Sequence, residues 1–455
     1  MRQINKDILK LAGPSILANI TVPFVGMVDI AVAGHLTSSL SNATLIGGIS
    51  IGTMLFDLLY WNFGFLRVGT GGMTAQAYGR KEPSECARIL FRGLSLSLII
   101  AAIILAIQWP FTKLAFLIVD SSEEVKALAL QYFFIRIWAA PATLSLFSFK
   151  GWFIGMQDTV SSMATDLIVN VVNIVSSIVL SLGLPFLGFK GFGFAGIALG
   201  TVVAQYSGLA FATLRAVLKY GSVFRGVSIS SALQGAHLRK FIVISRDLFI
   251  RSICLVIIYV GFTTISARFG DLLLATGSIM MKLLMLFSYF TDGFAYAGEA
   301  LTGKYIGMRD RTMVKETLKW TFIWSMGLGM FFVLIYIFGG TPIVRIMTSD
   351  PEVVESCKRF FVWLLPMPMI GVMAFTWDGI YVGATAAKTL RDSTIAAVIA
   401  FFVTWMICIS VHGAYDLTAM HLLMLAYFAH LAARSLWMQL HYRKAILERP
   451  FEKAS

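Results

Sequence analysis

The stretch VPFVGMVDIAVAGHL, residues 22–36, places one aspartate, Asp29, in an apolar run with no Lys or Arg within two helical turns. At bilayer depth an ionised side chain costs at least about 2.5–3.5 kcal/mol. A carboxylate has too short a stem to reach back to water as Lys and Arg do. Withdrawal from water penalises the charged form of a carboxyl, so an acid at this depth can take up and give back a proton during a transport cycle. A second polar signal lies in VNVVNIVSS, where Asn170, Asn173 and Ser177 stand at i, i+3 and i+7 and so share one helical face. Thr201, in the next apolar segment, completes the set. With a rise of 1.5 Å per residue, Asn173, Ser177 and Thr201 fall about 10–17 Å below the outer surface, just beneath Asp29 at about 8 Å. Four polar groups at matched depth can hold a small cation or a proton. Pro23, six residues before Asp29, removes a helical hydrogen bond and crowds the carbonyl of Asn19. It is expected to hinge this helix near its acid.

Such chemistry needs membrane helices to position it, and the chain supplies them. Of its 455 residues 58% are hydrophobic and 13% charged, about half the charge of a soluble domain. The mean hydropathy is +0.79. Apolar stretches of about 20 residues, each able to cross a hydrocarbon layer, recur throughout. An all-α polytopic membrane protein with twelve spans follows: 8–34, 42–68, 87–111, 127–152, 160–184, 193–217, 240–266, 271–297, 315–339, 356–382, 390–411 and 417–441. The basic N-terminus leads into a full-length span without a cleavage site, so no removable signal peptide is expected.

The +13 net charge has a topological cause. Most Lys and Arg fall on one side: the N-terminus, the 69–92 and 218–239 connections, the 304–319 segment, Lys388, Arg391 and the tail. That side is cytoplasmic by the positive-inside rule, with both termini inside the cytoplasmic (inner) membrane. Nucleic acid is not needed to explain the charge. The chain also repeats itself: FSFKGWFIGM (147–156) matches FTWDGIYVGA (375–384), pairing Gly151 with Gly379 and Gly155 with Gly383 at an offset of 228. NFGFLRVG (62–69) matches TDGFAYAG (291–298). Even-numbered halves share one orientation, which gives two six-helix pseudo-symmetric lobes, 1–217 and 240–455, joined by a cytoplasmic linker at 218–239 and facing each other across a cavity.

Other membrane charges have simpler readings. Asp247 and Arg251, four apart, can neutralise each other along one helix. Arg67 and Lys150 can snorkel, and Arg434 points toward the basic tail. Lys282, at mid-span, either meets an acid from another helix or faces the cavity, and it joins Asn170, Asp292 and Asp378 as possible substrate-cavity residues. Asp57 and Glu299 have no assigned role. GFGFAG (191–196) fits a dinucleotide fingerprint but opens a span with no preceding strand; close helix packing explains it better. The four cysteines show no metal spacing, and no nucleophile–base spacing appears, so neither an enzyme, a metal site nor a cofactor is expected.

The segments MVDIAVAGHL, FLRVGTGGMTAQAYGR, RIWAAPA…GWFIGMQDT and DGFAYAGEAL resemble, in order and spacing, the multidrug and toxic compound extrusion (MATE) transporters, in their DinF-like branch. The resemblance covers nearly the whole chain. It implies a two-lobe antiporter, expected as a monomer among membrane lipid, that expels organic, often cationic or amphipathic, small molecules in exchange for protons or sodium. The family's first-helix aspartate falls on Asp29, its fifth-helix asparagine on Asn173 and its sixth-helix threonine on Thr201. The usual second acid is replaced by Ser177. One carboxylate fewer weakens a cation cage while a lone acid suffices for proton exchange, so H+ is favoured over Na+. The alternative is a flippase for a lipid-linked precursor, for whose anionic head group Arg136, Arg251 and Lys282 are available but isolated.

Overall fold

The computed structural model describes residues 2–36, 40–117, 119, 121–184, 188–348 and 350–451, without the side chains of 2, 22–24, 43, 236, 271 and 449. The hinge expected at Pro23 lies outside these described side chains. The first half forms α1 (Arg2–Gly34), α2 (Asn42–Tyr60), α3 (Phe65–Gly79), α4 (Pro83–Ala115), α5 (Glu123–Arg136), α6 (Ala140–Gly155), α7 (Thr159–Leu182) and α8 (Phe194–Phe224), followed by the short α9 (Ile229–Ala232). The second half forms α10 (Ala236–Ser266), α11 (Asp271–Gly307), α12 (Arg311–Met347), α13 (Pro351–Leu364), α14 (Met367–Gly383), α15 (Ala387–His412) and α16 (Leu417–Tyr442). Twelve helical stretches among the described residues are long and apolar enough to cross a membrane.

Local chemistry sets the ends. Ser41, Ser122, Asp310 and Asp416 each accept a backbone N–H as N-caps, satisfying a donor that the first turn cannot. Asp158 caps α7, and its Oδ2 accepts from Ser161 at 2.5 Å, Lys219 at 2.7 Å and Tyr220 at 2.8 Å. Burial opposes its charge, but these donors outweigh burial and hold its carboxyl below the usual carboxylate range.

Several boundaries differ from those expected. The connection read at 69–92 is mostly helix: α3 runs to Gly79 and α4 starts at Pro83, because nothing in MTAQAYGR breaks a helix before its last glycine. The spans at 42–68 and 127–152 are not continuous, being broken by 3-10 turns at Trp61–Gly64 and Ile137–Ala139. Pro141 sits at the start of α6, where it is tolerated. The span at 356–382 divides at Leu365 and Pro366. Of the glycines in GFGFAG, Gly191 and Gly193 adopt positive φ in a turn. Only Gly196 lies in a membrane helix at close approach, since a Cβ there would lie 2.3 Å from the carbonyl oxygen of Leu180.

The chain divides into two compact units: residues 17–74 with 81–241, and residues 1–16 with 75–80 and 242–455. In the first, α7 packs along α8, α2 against α5 and α4 against α6, around the buried Phe56, Tyr132, Phe133, Trp152 and Phe153. In the second, α11 packs on α14 and α12, and α15 on α16, around Phe262, Phe287, Phe360 and Phe401.

The internal repeat is carried into three dimensions by backbone. A Cβ on Gly151 would lie 2.1 Å from the carbonyl oxygen of Arg67, and one on Gly379 2.0 Å from that of Ala295; both glycines and both partners are 228 residues apart, so the match of 62–69 with 291–298, read at an offset of 229, is one residue out of register. The non-glycine residues with positive φ obey the same offset, Lys81 with Arg309 and Gln157 with Thr385. Replacing Gly379 by Val therefore forces α14 off α11. Overpacking of this kind costs about 1–3 kcal/mol or more. We expect lost folded protein by size-exclusion chromatography, whereas Gly327→Ala on α12, where a Cβ meets nothing within 4 Å, leaves the yield unchanged.

Candidate functional site

The polar residues of the first unit converge. Gly196 and Gly200 on α8 lie four apart, and a Cβ on Gly200 would stand 2.6 Å from the Ser177 nitrogen; small residues at this spacing let two helices approach by their backbones. This contact brings Asn173 Nδ2 to 3.1 Å from Thr201 Oγ1, to which it donates. Thr201 and Ser177 both direct their hydroxyls at the carbonyl of Ile197, at 3.4 and 3.5 Å. Asn173, Ser177 and Thr201 are all buried.

The α1 helix lies along the same polar face. Asn170 Nδ2 donates to Thr21 Oγ1 at 2.6 Å. Asp29 and Ser177 stand two helical turns further out on these same two helices. Asp29 is 6% exposed. Among the described residues its Oδ1, like Asn173 Oδ1, has no hydrogen-bond partner. An unpaired buried acceptor is costly, and a proton or a small cation is the kind of partner that would relieve it. The structure thus brings together the four residues singled out for ion binding and adds Asn170, which clips α7 to α1.

Arg136, read from the sequence only as an isolated cation for a lipid-linked head group, is held by Tyr132, which sequence reasoning did not single out. Arg136, at the end of α5, donates to Tyr132 Oη at 2.8 Å. Its guanidinium lies over the rings of Phe56 and Tyr132, 4.7 and 5.5 Å from their centroids, and its charge acts on Asp29 and Asp57. Depth would have found this residue: nine positions inside the outer end of its span, Arg136 lies about 13 Å deep, level with Asn173.

In the second unit the expected pairings are corrected. Asp247 does not pair with Arg251; its Oδ1 meets Arg391 at 2.9 Å and Arg246 at 3.1 Å. Arg251 instead reaches Asp378 at 2.5 Å. Arg434 does not point to the tail: it is 2% exposed and pairs with the same Asp378 oxygen. In the first unit, Lys150, expected to snorkel, instead finds Asp166 at 2.7 Å. One carboxylate thus ties α10, α14 and α16, with Asp292 acting on Arg434 from α11. Asp292 is half-buried, Glu299 wholly buried, and Lys282 exposed on α11.

Known proteins share this chain's sequence and arrangement. The MatE family model matches residues 14–179 and 248–409. The DNA damage-inducible protein F of Escherichia coli K12 is 34% identical over 402 residues, covering 88% of this chain and 85% of that protein. The probable multidrug resistance protein NorM of Photorhabdus laumondii is 24% identical over 77% of this chain and 75% of its own length. In fold, the chain matches the bent form of the Vibrio cholerae MATE transporter VcmN with a TM-score of 0.81 at 15% identity, across 99% of both chains. Sequence, fold and a doubled family match lead to one assignment: this chain belongs to the MatE family, the multidrug and toxic compound extrusion transporters of the membrane.

Proposed function

We propose that this protein is a proton-coupled antiporter that exports organic, often cationic or amphipathic, compounds across the cytoplasmic membrane by alternating access. Both termini face the cytoplasm, where the basic connections lie, and the protein acts as a monomer surrounded by lipid. Asp29 carries the proton; Asn173, Ser177 and Thr201 shape its seat. Asn170, Lys282, Asp292 and Asp378 stand as candidates for contact with the substrate. The observation that carries this reading is the buried Asp29, with an oxygen unpartnered among the described residues, on the helix that Asn170 clips to the face bearing the neutral Asn173 and Ser177. A hard cation prefers several charged or carbonyl oxygens, and here one carboxylate is present. The energy suffices: a charge moved through 100 mV yields about 2.3 kcal/mol, enough for roughly a 50-fold gradient. A relative named for multidrug resistance supports the substrate class. A lipid-linked flippase is less well supported, because two of its three candidate cations are engaged, Arg251 by Asp378 and Arg136 by Tyr132.

Proteoliposomes with proton and sodium gradients imposed separately test this. Dye efflux is expected with the proton gradient and not with sodium alone. Efflux driven by sodium alone reverses the ion assignment, and efflux driven by neither removes antiport.

A further inference from the structure

Lys282 stands in the part of α11 where a charge is hardest to keep. Its span begins at Leu272, so the residue lies about 15 Å inside, at the middle of a hydrocarbon layer about 30 Å thick. The flanking Met280, Met281, Leu283, Leu284 and Phe287 are buried in the core of the second unit, whereas Lys282 is exposed. Among the described residues it makes no ion pair or hydrogen bond. From this depth its stem does not reach an interface, as a lysine near a helix end can. Charges at bilayer depth face either a partner or a water-filled cavity; without the first, Lys282 marks the second.

The internal repeat points the same way. At the offset of 228, Ser278 matches Ser50, Lys282 matches Met54 and Leu286 matches Leu58, and all six residues are exposed. Recurring every four residues, they line one stripe on α11 and one on α2. The α2 stripe also carries the exposed Asp57, three residues after Met54. Each half thus leaves the same face of the equivalent helix open and sets one ionisable side chain on it, an acid on α2 and a base on α11. A stripe turned to lipid would carry neither.

We propose that Lys282 is a specificity-determining residue that binds the anionic end of the substrate, so that amphipathic compounds bearing one carboxylate, zwitterions among them, are selected over the same compounds with that carboxylate masked. This rests on reading the protein as an exporter of amphipathic compounds, and it names the group by which they are chosen. An ammonium is a compact point charge with three donors and no acceptor, and it meets a carboxylate through charge-assisted hydrogen bonds. One ammonium balances one negative charge. It does not balance a polyanionic head group, since Arg251 and Arg136 are engaged elsewhere. Leu286 and the half-buried Tyr289 continue the stripe and offer apolar surface to the body of the same molecule.

Rhodamine 110 and its methyl ester, rhodamine 123, test this, because they differ only in whether the carboxylate is free. Fluorescence anisotropy of each dye with purified wild type, Lys282→Met and Lys282→Arg gives the ratio of the two affinities for each protein. Lys282→Gln replaces the methionine variant if that one does not fold. Wild type is expected to bind rhodamine 110 more tightly than rhodamine 123, and Lys282→Arg to keep that order. Lys282→Met is expected to shift the ratio against rhodamine 110 at least about tenfold, a difference of about 1.4 kcal/mol. A merely structural role would lower both affinities together and leave the ratio where it was. Wild type that binds neither dye or shows no preference for the free acid, or a folded neutral variant that keeps the preference, overturns the proposal. Proton-driven efflux of rhodamine 123 by wild type in proteoliposomes reads the export function separately. Its presence leaves that function standing if the preference fails, and its absence for both dyes removes export while the binding ratio still decides the role of Lys282.

Discussion

Asp29→Asn is expected to reduce dye efflux to the level of cells carrying no transporter, with normal amounts of folded protein in the membrane. The amide has the shape of the acid, and the Asn170–Thr21 bond that clips α7 to α1 is untouched, so the contact between the two helices survives. What disappears is the only group among Asp29, Asn173, Ser177 and Thr201 able to bind and release a proton. The loss should therefore fall on transport and not on stability. Size-exclusion chromatography and a thermal melt read the one, and efflux together with substrate-triggered proton uptake reads the other. Asn173→Ala should be milder, because it removes one acceptor and the bond to Thr201 but no titrating group. Full efflux in the Asp29 variant at normal expression sinks the mechanism.

The second large effect belongs to the other unit. Asp378 is the shared carboxylate of Arg251 and Arg434, and neither arginine is well exposed. Breaking a buried pair by removing one partner is destabilising by about 3–5 kcal/mol, so Asp378→Asn should lower the melting temperature steeply. Arg434→Met should cost much less, since it leaves a complete pair between Asp378 and Arg251. Adding Arg434→Met to Asp378→Asn should recover part of the loss, by removing one of the uncompensated charges. This ordering is the signature of a two-to-one charge arrangement. Equal effects of the two single variants would count against it.

Composition and hydropathy made the twelve spans legible, because an apolar run of that length has few other fates. The repeat was equally readable: Gly151 and Gly379 stand in matching decapeptides, and each lies against the carbonyl of the residue at the same place in its half. The ion site was legible to the extent that depth is. Asp29, Asn173, Ser177 and Thr201 meet because their rises along three helices agree. Charge partners were not legible in this way. Spacing reveals neighbours within one helix, and the Asp247–Arg251 pair was inferred on that basis. The true partners lie 144 and 127 residues away, on α15 and α14. Arg136 was read as isolated for the same reason, since its ring contact with Phe56 on α2 has no trace in the local sequence. The 3-10 breaks at Trp61–Gly64 and Ile137–Ala139 carry small marks that were not used, Asn62 and Gly64 within the first and Pro141 just after the second.

The glycine seats have a mechanical meaning. Where Gly151 rests on the Arg67 carbonyl and Gly379 on that of Ala295, no side chain stands between the two backbones to roll or slide upon. A slip of one residue along either contact drives a Cβ into a carbonyl oxygen, so the two rods at each seat resist shear and travel as a splinted plate. Whatever movement carries cargo outward must bend or swing these plates whole, never draw their members past one another.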